Sequence, residues 1–259
     1  MNPRFVPCLA VSMLAAASVL HAQTPEEKGT KVAVEAHEAN AGWATEHSTL
    51  SMLLVSAQGE ESTRKLNIDT EERKNDGDRS RVTFEAPADV KGTRLLTWSH
   101  KDGNDDQWLY LPSIKRVKRI SSSDKSGSFM GSEVAYEDLG SQEPEKYKYK
   151  LLAEVQERGR DCWQLERVPL AKNTGYARQV LWLDKEWHLP VHIDYYDRKN
   201  DLLKTSYYAG QAKYGKTWRV GKIEVTNVQT KKKTVLTWTD RRFGVKFDRA
   251  LFESSALED

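Results

Sequence analysis

The stretch from Asp105 to Leu139, DDQWLYLPSIKRVKRISSSDKSGSFMGSEVAYEDL, decides how this chain is read. Gln107–Leu111 is apolar on both faces, with Trp108 and Tyr110 on one side and Leu109 and Leu111 on the other. A strand that is apolar on both faces must be covered on both, so a central strand is predicted here. Pro112 and Ser113 turn the chain, and a basic strand follows in which Lys115, Arg116, Lys118 and Arg119 surround Val117 and Ile120. Next comes a Ser/Gly-rich loop that carries Phe129 and Met130. Leaving two such side chains in water costs about 1.5–3 kcal/mol each. They therefore either fold back onto the core or form a movable flap over an apolar cavity.

Working outward, the hydrophobic period is two on both sides of this stretch. Val82, Phe84 and Ala86 alternate with polar neighbours, as do Tyr149, Leu151, Ala153 and Val155, and again Val191, Ile193 and Tyr195. Turn residues separate these runs, among them Asn75-Asp76-Gly77, Asp102-Gly103-Asn104 and Arg158-Gly159. About eleven to thirteen strands with short, antiparallel connections are predicted. One substantial helix is expected ahead of them. Thr24 supplies its N-cap, Pro25 its first position and Glu27 the capping-box carboxylate; it runs to about Ala41, where Gly42 ends it. Ser132–Leu139 suits a short second helix, and Leu251, Phe252 and Leu257 of the tail are expected to dock. The fold class predicted is mainly β. A long antiparallel sheet curls, and two helical segments cap its hollow without filling it. Alternation alone equally permits a solid, well-packed barrel.

The chain has 259 residues and a formal net charge of +2, which commits it to neither nucleic acid nor any other strongly charged partner. Residues 1–22 read as a secretory signal peptide, with Arg4, an apolar run from Leu9 to Leu20 and Ala22 at the cleavage position. One domain is expected over 23–259. Cys8 precedes the apolar run, so no lipid anchor is expected, and Cys162 is left without a partner for a disulfide. The destination predicted is the periplasm of a Gram-negative cell. Mean hydropathy is low at −0.71. The chain nevertheless holds 8 Trp and 10 Tyr, a balance that suits a sheet with one wet and one aromatic face.

Motifs that suggest other chemistry do not survive their geometry. Gly210–Thr217 spells a P-loop, but the residues after it, Trp218 to Thr226, are β-branched and read as strand where a helix is required. A hairpin turn is predicted instead. His188 and His192 have zinc-pair spacing, yet Pro190 between them opposes a helix, and on a strand they stand about 13 Å apart. Asp102, Asp105 and Asp106 lack the alternation of a calcium loop. No nucleophile elbow or triad signature is present. No enzyme activity, cofactor, metal or nucleic acid is expected.

DDQWLYLP, KRVKRI and KSGSFMGSEVAYEDL, with APADVKGTRLLTWSHKDG upstream (Ala86–Gly103), resemble the signature of the outer-membrane lipoprotein-sorting protein family, a branch of the LolA/LolB-like periplasmic carriers. The resemblance implies a half-open, LolA-like β-barrel with helices as lid, and an acyl-chain or other lipid cargo carried toward the outer membrane. It also implies loading by an inner-membrane ABC- or RND-type transporter. Moving one CH₂ into water costs about 0.8 kcal/mol, so a sixteen-carbon chain needs cover worth about 12 kcal/mol. Wall residues expected from alternation are Phe84, Leu96, Trp98, Trp108, Tyr110, Trp182, Tyr195 and Trp238. Lid residues expected are Phe129, Met130, Val134 and Tyr136. Lys115, Arg116, Lys118 and Arg119 are either solvated edge residues or a docking patch for anionic headgroups. The rival readings are a periplasmic sensor or regulator, and an accessory subunit of an RND-type exporter, each using the same hydrophobic cavity. A monomer is expected.

Overall fold

The strand at the centre of the deciding stretch forms as Asp106–Leu111 (β5) in the computed structural model, which describes residues 22–258. The expected signal peptide lies outside the described residues, apart from Ala22. Before β5 come Pro25–Ala39 (α1), Thr45–Val55 (β1), Glu61–Glu71 (β2), Arg79–Ala86 (β3) and Arg94–Trp98 (β4). After it come Arg116–Ile120 (β6), Tyr147–Glu157 (β7), Arg160–Pro169 (β8), Tyr176–Asp184 (β9), Pro190–Asp197 (β10) and Leu202–Ala209 (β11). Ala212–Tyr214 (β12) and Thr217–Arg219 (β13) pair only with each other, so the P-loop-like string is indeed a hairpin. Lys222–Asn227 (β14) and Lys233–Phe243 (β15) complete the strands.

Thirteen strands form one antiparallel sheet in the order β6-β5-β4-β3-β2-β1-β15-β14-β11-β10-β9-β8-β7. It is a chain of hairpins, closed in its middle by β1 pairing with β15. Strands β6 and β7 remain free edges, and the sheet curls into an open half-barrel. Because side chains alternate across each strand, this curl sorts them into a concave and a convex set.

Two different segments fill the concave side. The helix α1 starts as predicted, with the Thr24 and Glu27 side chains and backbones capping each other, and ends at Ala39 rather than Ala41. Its buried residues Val32 and Ala36 pack on Leu165, Leu181, Ile193 and Tyr195. Gly29 lets the helix lie on β7: a Cβ there would fall 2.7 Å from the Leu151 backbone nitrogen. The second segment is the strap 121–146. It contains only 3-10 turns, Phe129–Gly131, Tyr136–Asp138 and Pro144–Lys146, where the sequence suggested a helix over Ser132–Leu139. Met130 and Gly131 both take positive φ, which reverses the chain and prevents helical propagation. Phe129 is driven into the cup formed by β1–β5, where its ring lies 5.7 Å from that of Phe84.

The tail covers part of the convex side. Arg249–Phe252 and Ser254–Leu257 are 3-10 turns, and Phe252 and Leu257 are buried against Leu96, Trp98, Trp108 and Tyr110. Strand β5 is thus covered on both faces, as predicted. It is not central, however: it is next to the edge, and its two covers are the strap and the tail.

Candidate functional site: a chamber under the strap

Between α1 and the Phe129 plug the half-barrel keeps a cavity of about 330 Å³. One wall is apolar because alternation on β2, β3, β14 and β15 turns Ile68, Val82, Ile223, Val225, Leu236 and Trp238 inward. Val134 and Leu139 of the strap form its roof. The facing wall is polar. There β10 and β11 present Tyr195, Lys204, Ser206 and Tyr208.

Lys204 is buried, and its Nζ donates to Asp138 Oδ2 at 2.7 Å and to the Glu133 carbonyl at 2.8 Å. Asp138 also accepts from the Tyr176 hydroxyl at 2.9 Å and from the Ala135 amide at 2.8 Å. This cluster ties the strap to β11 and β9. Burial pushes the Tyr176 and Tyr195 phenols well above the usual tyrosine range, so both stay neutral. Further bonds fix the strap at both sides. Glu133 accepts from Asn227 Nδ2 at 2.7 Å, and Glu137 accepts from Thr174 Oγ1 at 2.6 Å and the Gly175 amide at 2.8 Å.

Two further cavities adjoin the chamber. Past Thr70, Asp78 and Ser141 lies a charged vestibule of about 560 Å³ below the C-terminal end of α1. On the other side of Asp138, a groove of about 480 Å³ runs between the loops beside the free edges. Desolvation by burial pushes Asp78 up to about 7, opposed by the Arg73 amide and reinforced by Glu143 and Glu72. A carboxyl whose folded pKa exceeds its unfolded value loses stability as pH rises between the two. The ionised Asp78 should therefore destabilise the fold above pH 7 and cost nothing near pH 4. Asp78→Asn is expected to stabilise the protein by about 2 kcal/mol at pH 8, allowing for partial exposure, and hardly at all at pH 4. Urea midpoints at the two pH values check this; an equal gain at both would refute it.

The expected site residues divide between the faces. Val134, Tyr195 and Trp238 line the chamber. Phe84 is on the concave face but lies under the plug. All four expected lid residues, Phe129, Met130, Val134 and Tyr136, pack in the strap-side core. Leu96, Trp98, Trp108 and Tyr110, expected in the wall, instead face the convex side under the tail. Trp182 also faces outward, stacked 4.3 Å from His192, whose other neighbour Tyr207 lies at 4.4 Å. The reason is shared: alternation assigns partners to one face without saying which face is concave. Lys115, Arg116, Lys118 and Arg119 are exposed on the free edge strand β6 and its preceding turn, and Arg119 pairs with Asp106. His188 and His192 do not converge, and among the described residues no group of three or more His, Cys, Asp or Glu could hold a metal ion. Lys204, Asp138, Asp78 and Glu143 went unnoticed in the sequence, where each is one polar residue among many.

This architecture is shared with known proteins. A family model described as an uncharacterized protein matches residues 76–259. No curated protein matches the chain. A domain from Vibrio parahaemolyticus, described as a candidate outer membrane lipoprotein-sorting protein domain, is 45% identical; the match covers 90% of this chain and 100% of that one, with a TM-score of 0.88. A DUF1329 family protein from Desulfovibrio piger is 34% identical over 91% of this chain and 100% of that one, with a TM-score of 0.86. A LolA superfamily protein from Nitrosomonas europaea, 19% identical over 90% of this chain and 100% of that one, shares the fold at a TM-score of 0.70. With two such relatives matched along their entire length, the chain belongs to the DUF1329 family, and its half-barrel has the LolA-superfamily fold.

Proposed function

We propose that this protein is a periplasmic carrier that shields acyl chains of lipoproteins or other lipids on their way toward the outer membrane. The observation that carries the reading is the chamber: an apolar wall on an unclosed sheet, roofed by a strap rather than by a strand. Its volume lies at the lower end of the range for small-molecule sites. The strap's Phe129 occupies the rest of the cup, so a long chain would enter by displacing it. Plug and cargo then compete for one apolar wall, and the plug's contacts stand in for cargo while the carrier is empty. The relative described by lipoprotein sorting supports the cargo class. Loading from an ABC- or RND-type transporter and release to the outer membrane complete the proposed route.

Purifying the protein from its native periplasm, extracting it with organic solvent and identifying lipids by mass spectrometry tests the reading. Acyl lipid at near-stoichiometric amount is expected. A lipid-free protein that also fails to bind a fluorescent fatty alcohol would reject it, and a stably bound signalling protein in its place would favour the sensor.

A further inference from the structure

The vestibule holds two carboxylates that no hydrogen-bonded cation of the fold compensates. Five carboxylates border it, and three are compensated. Glu46 pairs with Arg219 at 3.2 Å and Arg241 at 2.8 Å. Glu72 accepts from the Gly42 and Ala44 amides at 2.5 and 2.8 Å. Asp76 accepts from His100 Nδ1 at 2.8 Å and the Lys101 amide at 3.0 Å. The other two are Asp78, which also lines the chamber, and Glu143.

Glu143 is only 2% exposed, and no hydrogen-bond donor reaches its Oε2. The nearest base, His37 Nε2, lies 3.8 Å away. Asp78 Oδ1 accepts a single bond, from the Arg73 amide at 3.2 Å. Its own amide donates to Ser141 Oγ at 3.2 Å, which sets it at the junction between the two cavities. Of the basic residues lining the vestibule, Arg219 pairs with Glu46 at 3.2 Å and Arg73 with Glu71 at 3.6 Å; Lys74 and Lys101 line it as well, and neither bonds to Asp78 or Glu143. A buried carboxylate oxygen without a donor is costly, and fixed anions at the polar end of an apolar chamber select for a cation attached to hydrocarbon.

We propose that the vestibule binds the ammonium group of an amine-headed amphiphile, between Glu143 and Asp78, while the hydrocarbon part occupies the chamber. This site rests on the carrier reading and adds to it a choice of headgroup. An ammonium donates up to three hydrogen bonds, enough to serve both carboxylates. An anionic headgroup would face the same two carboxylates and be rejected by them.

The test uses three ligands with one common chain, dodecylammonium, dodecanol and dodecanoate, at submicellar concentration and pH 8. Each is titrated against a bound fluorescent fatty alcohol. Dodecylammonium is expected to bind about tenfold tighter than dodecanol, and dodecanoate the weakest. Glu143→Gln and Asp78→Asn should each remove most of the amine preference, read as the ratio of dodecylammonium to dodecanol affinity within each variant. Because the wild-type series alone reports the preference, the test does not depend on either variant folding. Equal affinity for the three ligands, or an amine preference that survives in both variants, would overturn the amine site while leaving the carrier reading in place. Binding of none of the three would overturn both.

Discussion

Phe129→Ala is expected to lower the unfolding free energy by about 3–5 kcal/mol and, at the same time, to tighten binding of a fluorescent fatty alcohol several-fold. The first effect follows from burial. Phe129 is 1% exposed and packs 5.7 Å from Phe84 and 5.6 Å from Tyr136, ring to ring. Removing it loses transfer free energy and leaves a void among Leu66, Val82 and Leu95 that the rigid ladder cannot close. The second effect separates a plug from an ordinary core residue. If plug and cargo compete, weakening the plug raises the population able to accept cargo. Urea unfolding measures the first and probe titration the second. A stability loss without any gain in affinity would mean that Phe129 only fills space, and the competition idea would fail.

Lys204→Met should be comparably damaging, at about 3–5 kcal/mol, because it strands Asp138 in a largely buried site without its cation. The ammonium lies 2.7 Å from Asp138 Oδ2 and also holds the Glu133 carbonyl, so its loss releases the strap from β11 at two points. The double variant Lys204→Met, Asp138→Leu is expected to recover most of that loss, since neither charge then remains. Urea midpoints of both singles and the double close the cycle. A single-variant loss below about 1 kcal/mol would show the pair to be solvated in solution.

Much of the fold is legible in the sequence. Period-two alternation, short turns and the Thr24 cap led to an antiparallel β protein with one leading helix, and the docking of Phe252 and Leu257 was foreseen. Which face they cover was not. Alternation places Leu96, Trp98, Trp108 and Tyr110 together on one face without saying that it is the convex one, and the tail takes that set for its own cover. The chamber's polar side was illegible for a different reason. Lys204, Ser206 and Tyr208 share one face of β11, and a Lys-Ser-Tyr face reads as solvent-facing until Asp138 is brought across from 66 residues upstream. The plug was readable as two alternatives, and the left-handed turn at Met130 and Gly131 is what directs Phe129 inward.

The two unpaired margins of the sheet have a mechanical consequence. In a closed barrel, strand number and shear dictate the radius, and widening it means breaking ladder bonds. Here no ladder joins β6 to β7, so the bore is set by clasps: Tyr176 on Asp138, Thr174 on Glu137, and Arg167 on Gln142 at 3.0 Å. Each clasp is a side-chain bond that can open and re-form singly. The girth of the half-barrel therefore rests on side-chain bonds that open without shifting the register of any strand.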